Sequence, residues 1–139
     1  MAKDDVVVVG LGEVGRPLFE LVRENHKAIG IDIEPVITDG ACAVLHICYP
    51  FSERFVRTTA EYIEETGPAL TVINSTVAPG TTRAVYGMIR TPIVYSPIRG
   101  KHIKMKSDLL HYTKFVGGIN NEAARRASEH FQSIGMKSQ

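Results

Sequence analysis

The chain has 139 residues, of which 44% are hydrophobic and 22% charged, with a formal net charge of +1. That is enough for one domain with a real core, residues 1–139, and excludes a disordered or low-complexity protein. So small a net charge gives no field toward nucleic acid or a membrane surface, and no apolar run approaches the roughly 20 residues of a spanning helix. The opening MAKDDVVVV has neither the basic nor the apolar region of a signal peptide, so a cytoplasmic protein without nucleic-acid or membrane partners is expected.

Val6–Val9 is wholly apolar and β-branched, the pattern of a strand covered on both faces. Past three glycines, Val14, Leu18, Leu21 and Val22 recur at helical spacing, with Pro17 in the first turn where its missing N–H costs little. Ala28–Ile33 reads as a second strand ending at Asp32, and Ala43–Ile47 as a third, closed by Tyr49-Pro50. The next helix has Ser52 as its expected N-cap, Val56, Ala60 and Ile63 as its inner stripe and Gly67-Pro68 as its stop. Leu70–Asn74 is a strand, Thr81–Ile89 a short helix, Ile93–Tyr95 a strand and Phe115–Val116 before Gly117-Gly118 a last one. A final helix begins near Glu122, capped by Asn120 or Asn121, and runs to Gly135 with Ala124, Ala127, Phe131 and Ile134 turned inward.

Strand and helix alternate almost throughout, which predicts a parallel sheet with helices on both faces. One segment breaks the rhythm. Between Asp32 and Ala43 stand only IEPVITDGAC, whereas parallel neighbours usually need a crossover of a dozen or more residues. Ten extended residues still reach about 30 Å, enough to return to the start of another strand. The expected fold is therefore a Rossmann-like, doubly wound α/β sheet shortened by one crossover helix and one edge strand.

Cys42 and Cys48 bracket an apolar run. In one strand they stand about 20 Å apart, too far for a disulfide. His46 and Cys48 share a face, but two ligands do not make a zinc site, so no metal is expected and the cysteines read as buried thiols.

Gly10-Leu11-Gly12-Glu13-Val14-Gly15 matches G-x-G-x-x-G after a strand and at the opening of a helix. The first glycine permits the tight turn, the second lets a diphosphate approach the backbone, and the third lets helix and strand pack closely. Free N–H groups at the helix start, aided by its dipole, favour the anion. Asp32 follows Gly10 by 22 residues, placed with Ile33 to meet an adenosine ribose and to reject the extra phosphate of NADP. The competing reading is a glycine turn kept for packing, with Asp32 a solvated strand end. Arg16 is either a phosphate contact or a solvated helix residue.

These motifs, together with AVLHICYP, VINSTVAPGTTR and VYSPIRG…KFVGG, resemble the NAD-binding domain of the UDP-glucose/GDP-mannose dehydrogenases over nearly the whole chain. The β-hydroxyacid dehydrogenases share the first and third motifs. The resemblance implies that Tyr49 and Pro50 lie against the nucleotide and that Ser75 and Thr76 approach the nicotinamide end. There Thr76 would orient the water and hydroxyl of the oxidation, a hydroxyl being both donor and acceptor. As a plain turn residue before Pro79-Gly80 it needs no such role.

Three features depart from that family. Ser96-Pro97 leads to Ile98-Arg99-Gly100 instead of an acid. No C-terminal substrate domain, and hence no nucleophilic cysteine from one, is expected, and Cys42 and Cys48 sit in the wrong segment to substitute for it. The short crossover removes part of the adenosine wall. The stretch from Arg99 to Lys106 gathers positive charge, where Lys101 and His102 are candidates to bind substrate and to act as general base; a hydrated loop accounts for it equally. The expectation is an NAD-dependent oxidoreductase domain acting on the CH–OH group of a nucleotide sugar or similar small molecule. A homodimer or a separate catalytic chain would complete it. The alternative is a dinucleotide-binding module without chemistry, a sensor or relic.

Overall fold

A computed structural model describes residues 5–32, 42–98, 109–110, 114 and 116–139. Its elements are β1 (Val6–Val9), α1 (Gly15–Val22), β2 (Ala28–Ile31), β3 (Val44–Ile47), α2 (Phe55–Thr66), β4 (Leu70–Ile73), α3 (Thr81–Ile89), β5 (Ile93–Tyr95), β6 (Gly117–Gly118) and α4 (Asn121–Ser133). The strands form one sheet in the order β2-β1-β3-β4-β5-β6. All pairs are parallel except β5–β6, an antiparallel edge of the kind mixed α/β sheets often carry.

Because successive side chains of a strand point to opposite faces, each apolar run feeds two cores. Val6, Val44, Leu70, Val72 and Val94 pack with Leu18, Leu21 and Val22 of α1 and with Ala123, Ala127 and Phe131 of α4. Val7, Val9, Leu45, Ile47, Ile73 and Ile93 pack on the other face with Phe55, Tyr62 and Ile63 of α2 and Val85 of α3. The sheet is thus doubly wound, as expected. Among the described residues it ends at β2, on the side where the usual order would add a further strand. The expected short crossover falls in residues 33–41, outside the described residues.

The register aligns Val9 with Ile31 and Ile47, Ile47 with Ile73, and Ile73 with Tyr95. The next residues therefore form a row along the carboxyl edge: Asp32, Gly10, Cys48, Asn74 and Ser96. Main-chain bonds hold its inner members, Gly10 N–H to Ile31 O at 2.7 Å, Cys48 N–H to Val9 O at 2.9 Å, Asn74 N–H to Ile47 O at 2.9 Å and Ser96 N–H to Ile73 O at 2.9 Å. Ligands of open α/β sheets bind beyond this edge.

Several local expectations shift. β2 stops at Ile31. Ser52 begins the turn into α2, its Oγ accepting from Arg54 N–H at 3.3 Å, but the helix itself opens at Phe55, without a side-chain cap. Gly67 ends that helix in the left-handed region, φ 54°, its N–H returning to Ile63 O. Asn120 caps α4, Oδ1 accepting from Ala123 N–H at 2.9 Å. That phase buries Ala123 and His130 and leaves Ala124 half-buried. No helix among the described residues is long and apolar enough to cross a membrane.

Candidate functional site

The three glycines of the first turn do three different jobs. Gly10 has φ +93°, and a Cβ there would lie 2.7 Å from Tyr49 N; only glycine takes this conformation at little cost. A Cβ on Gly15 would fall 1.6 Å from the Gly10 carbonyl oxygen, so helix and strand meet backbone to backbone. A Cβ on Gly12 would meet nothing within 4 Å. That position is kept small although the protein does not fill the space.

The space belongs to a cleft of about 230 Å³ lined by Gly10, Gly12, Glu13, Val14, Asp32, Cys48, Tyr49 and Pro50. Val14 is the N-cap of α1, no side chain caps that helix, and its first turn carries no acid. An anion in the cleft therefore faces the positive end of an uncapped helix. Asp32 stands exposed across the cleft, and its Oδ1 accepts from Leu11 N–H at 3.4 Å. Leu11 enters the site through that N–H. Its side chain lies over β2, where a Cβ on Gly30 would meet both Leu11 methyls at 3.1 Å.

Tyr49 lines the cleft, but its ring points away from it. Its ring is buried in the α2 core, tilted against Phe55 and Tyr62, with its hydroxyl 2.6 Å from Thr59 Oγ1. Burial pushes the phenol well up. Tyr49 meets the cleft with its backbone, while the neighbouring Pro50 is exposed on the rim. Ser75 donates its hydroxyl to Tyr49 O at 2.5 Å and so ties the β4 loop to the β3 loop, and Thr76 beside it is exposed. Ile33, Lys101 and His102 lie outside the described residues. The structure thus brings together Gly10, Leu11, Gly12, Glu13, Val14, Gly15, Asp32, Tyr49 and Pro50 at one end of the edge, and Ser75 and Thr76 farther along it.

Both cysteines are free, and burial raises their thiols, Cys42 to about 11 and Cys48 to about 12. Neither is a nucleophile at neutral pH. Among the described residues no group of three or more His, Cys, Asp or Glu is placed to hold a metal ion.

Beneath the row lies a polar cluster that sequence reasoning missed. Asn74 Nδ2 donates to His46 Nδ1 at 3.0 Å, which leaves the proton of the neutral imidazole on Nε2. That nitrogen faces His130 Nε2 at 2.8 Å, so His46 donates and His130 accepts. Burial, then the neighbouring His130, Lys114 and His26, holds His46 well below the ordinary imidazole range, and burial with nearby His26 lowers His130 to about 4. Lys114, also buried, donates to the main-chain oxygen of Ser96 and, at 2.9 Å, to its Oγ. Its amine lies 5.1 Å from the Phe131 ring centre, and burial brings it down to about 7.

The sheet order, the two-sided helix packing and the glycine turn define a Rossmann-like α/β domain. No protein-family model matches the chain. In sequence it is 32% identical to a UDP-N-acetyl-D-mannosamine dehydrogenase of Methanococcus vannielii, over 81 residues that cover 57% of this chain and 18% of that protein. In fold it is similar to the UDP-D-ManNAc dehydrogenase of Pyrococcus horikoshii (TM-score 0.77, 19% identity, 96% of this chain and 46% of that one). The UDP-N-acetyl-mannosamine dehydrogenase of Staphylococcus aureus is similar as well (TM-score 0.81, 16% identity, 98% and 46%). A reductive aminase from Aspergillus terreus, in complex with NADPH, also shares the fold (TM-score 0.65, 12% identity, 100% and 54%). The chain spans less than a fifth of the curated relative it matches and about half of each of these structures.

Proposed function

We propose that these residues form the dinucleotide-binding part of an NAD-dependent oxidoreductase that oxidises an alcohol of a nucleotide sugar. The observation that carries this reading is the vacant Cβ position at Gly12 inside an otherwise close-packed turn. A glycine retained for packing would be pressed on, as Gly10 and Gly15 are. Sequence similarity to a UDP-N-acetyl-D-mannosamine dehydrogenase supports the substrate class.

The residues of the cleft fit the cofactor. N–H groups at the start of α1 would hold the diphosphate, and Asp32, oriented by Leu11 N–H, would accept from the adenosine ribose hydroxyls. Its charge would repel a 2′-phosphate, which favours NAD over NADP. When bound, NAD supplies the acceptor for the hydride leaving the alcohol carbon. Thr76, exposed on the β4 loop, would position the substrate hydroxyl, and Ser75 fixes that loop through Tyr49 O. Lys101 and His102 are proposed to bind the substrate and to take its proton. A second subunit or further chain would close the substrate pocket.

Calorimetric titration tests the reading. NAD should bind and NADP should bind more weakly; absence of heat with NAD at millimolar concentration would refute it. A module that binds NAD without turning it over is favoured by Ile98. This side chain packs against the α4 core, where the family resemblance implies an acid.

A further inference from the structure

The main chain of Tyr49 lines the cleft and backs onto the glycine turn, and its parts are held separately. A Cβ built on Gly10 would lie 2.7 Å from Tyr49 N and 3.1 Å from Tyr49 Cα, so the turn leans directly on this stretch of backbone. The ring is packed into the α2 core against Phe55 and Tyr62. The carbonyl oxygen accepts from the Ser75 hydroxyl at 2.5 Å. Ser75 has a fixed origin for that bond. The residue before it is tied on both sides, Asn74 N–H to Ile47 O at 2.9 Å and Ile98 N–H to Asn74 O at 3.1 Å. On the near side of Tyr49, Cys48 N–H is tied to Val9 O at 2.9 Å.

A serine hydroxyl carries one proton. Here that proton is committed to Tyr49 O, so Ser75 has none to donate to a ligand. The contact runs without a gap from Ser75 Oγ through the Tyr49 main chain to Gly10, and Gly10, Gly12 and Tyr49 all line the cleft. We infer that Ser75 is a positioning residue of the cleft: its hydroxyl holds the Tyr49 wall against the glycine turn at the width a diphosphate needs, and acts on the ligand through that wall. Without the hydroxyl, Tyr49 O loses this donor and the wall is free to draw back from the turn. The inference rests on the dinucleotide reading for its ligand arms and has a ligand-free arm of its own.

The experiment compares S75A with wild type, both as full chains, by amide hydrogen exchange without ligand and by calorimetry with NAD and with ADP-ribose. The latter keeps the diphosphate and has no nicotinamide. Exchange should quicken at Gly10 and Cys48, whose N–H groups tie the turn and the wall to the sheet, and stay unchanged in α4. Both ligands should weaken together, by roughly three- to tenfold, the worth of one hydrogen bond. S75T, which keeps the hydroxyl, should restore both. Should S75A fail to fold, S75C, close in shape but a weak donor, takes its place. NAD weakened with ADP-ribose untouched would mean that Ser75 meets the nicotinamide itself, and overturns the inference. So does exchange quickened equally in α4, or unchanged affinity for both ligands. No heat from either ligand in the wild type sinks the dinucleotide reading. The exchange pattern then decides on Ser75: quickening confined to Gly10 and Cys48 keeps the clamp, and none overturns it.

Discussion

The carbonyl oxygen of Gly10 occupies the place a side chain on residue 15 would need, 1.6 Å from its Cβ position. Two positions along the chain, Gly12 opens onto the cleft with no neighbour in reach. One turn therefore separates a packing requirement from a ligand requirement.

Gly15→Ala should be destabilised by several kcal/mol, because the conflict is with backbone that cannot yield locally. Gly12→Ala should match or slightly exceed wild-type stability, since its φ suits any residue and alanine restricts the unfolded chain. NAD affinity in Gly12→Ala should nevertheless fall about tenfold or more, as its methyl enters the cleft. Denaturant midpoints and calorimetry on both variants check this. Equal loss of stability at the two sites would contradict it.

Asp32→Ala should weaken NAD by roughly 10- to 100-fold, the usual worth of a charged hydrogen bond at about 1.5–3 kcal/mol. It should weaken NADP much less, or improve it, so the ratio of the two dissociation constants moves toward one. An unchanged ratio would remove the carboxylate from the site.

Tyr49→Phe separates the ring from the backbone. Loss of the 2.6 Å bond leaves Thr59 buried without that partner, at a cost of about 1–3 kcal/mol. NAD affinity should not change, because the ring lies in the α2 core. A variant of native stability but weakened binding would show that the ring itself contributes to the cleft.

The His46–His130 pair sets an acid limit. Both imidazoles are held below 6.5 in the folded protein, whereas in the unfolded chain they gain protons near that value. The unfolded state therefore binds more protons below pH 6.5. The contribution is complete above that pH and is lost as pH falls toward 4, at up to about 1.4 kcal/mol per pH unit for each ring. Urea midpoints between pH 7 and 5 should decline in the wild type and less steeply in His130→Gln. Equal slopes would contradict this.

What could be read beforehand divides along physical lines. The glycine turn, Asp32 and the alternation of strands and helices are local patterns, legible because backbone sterics and hydrophobic periodicity act over a few residues. The row Asp32, Gly10, Cys48, Asn74, Ser96 follows only from strand register, which no single segment encodes. His46 and His130 lie 84 residues apart, and each alone resembles an ordinary partly polar position. Lys114 reads as a surface charge until the pairing of residue 114 with residues 137 and 139 brings it inside. The direction of the Tyr49 side chain was not legible, because the resemblance carries over a position in the cleft lining but not a side-chain direction. The ring turns to the α2 face, where Phe55 and Tyr62 supply its packing.

The most direct measurement is a crystal structure with NAD bound. The expected result has diphosphate oxygens within hydrogen-bond distance of N–H groups between Gly12 and Gly15, above the bare Gly12 Cα, with the adenosine ribose on Asp32. A dinucleotide seated elsewhere, or a turn that stays closed to it, would contradict the assignment of this cleft.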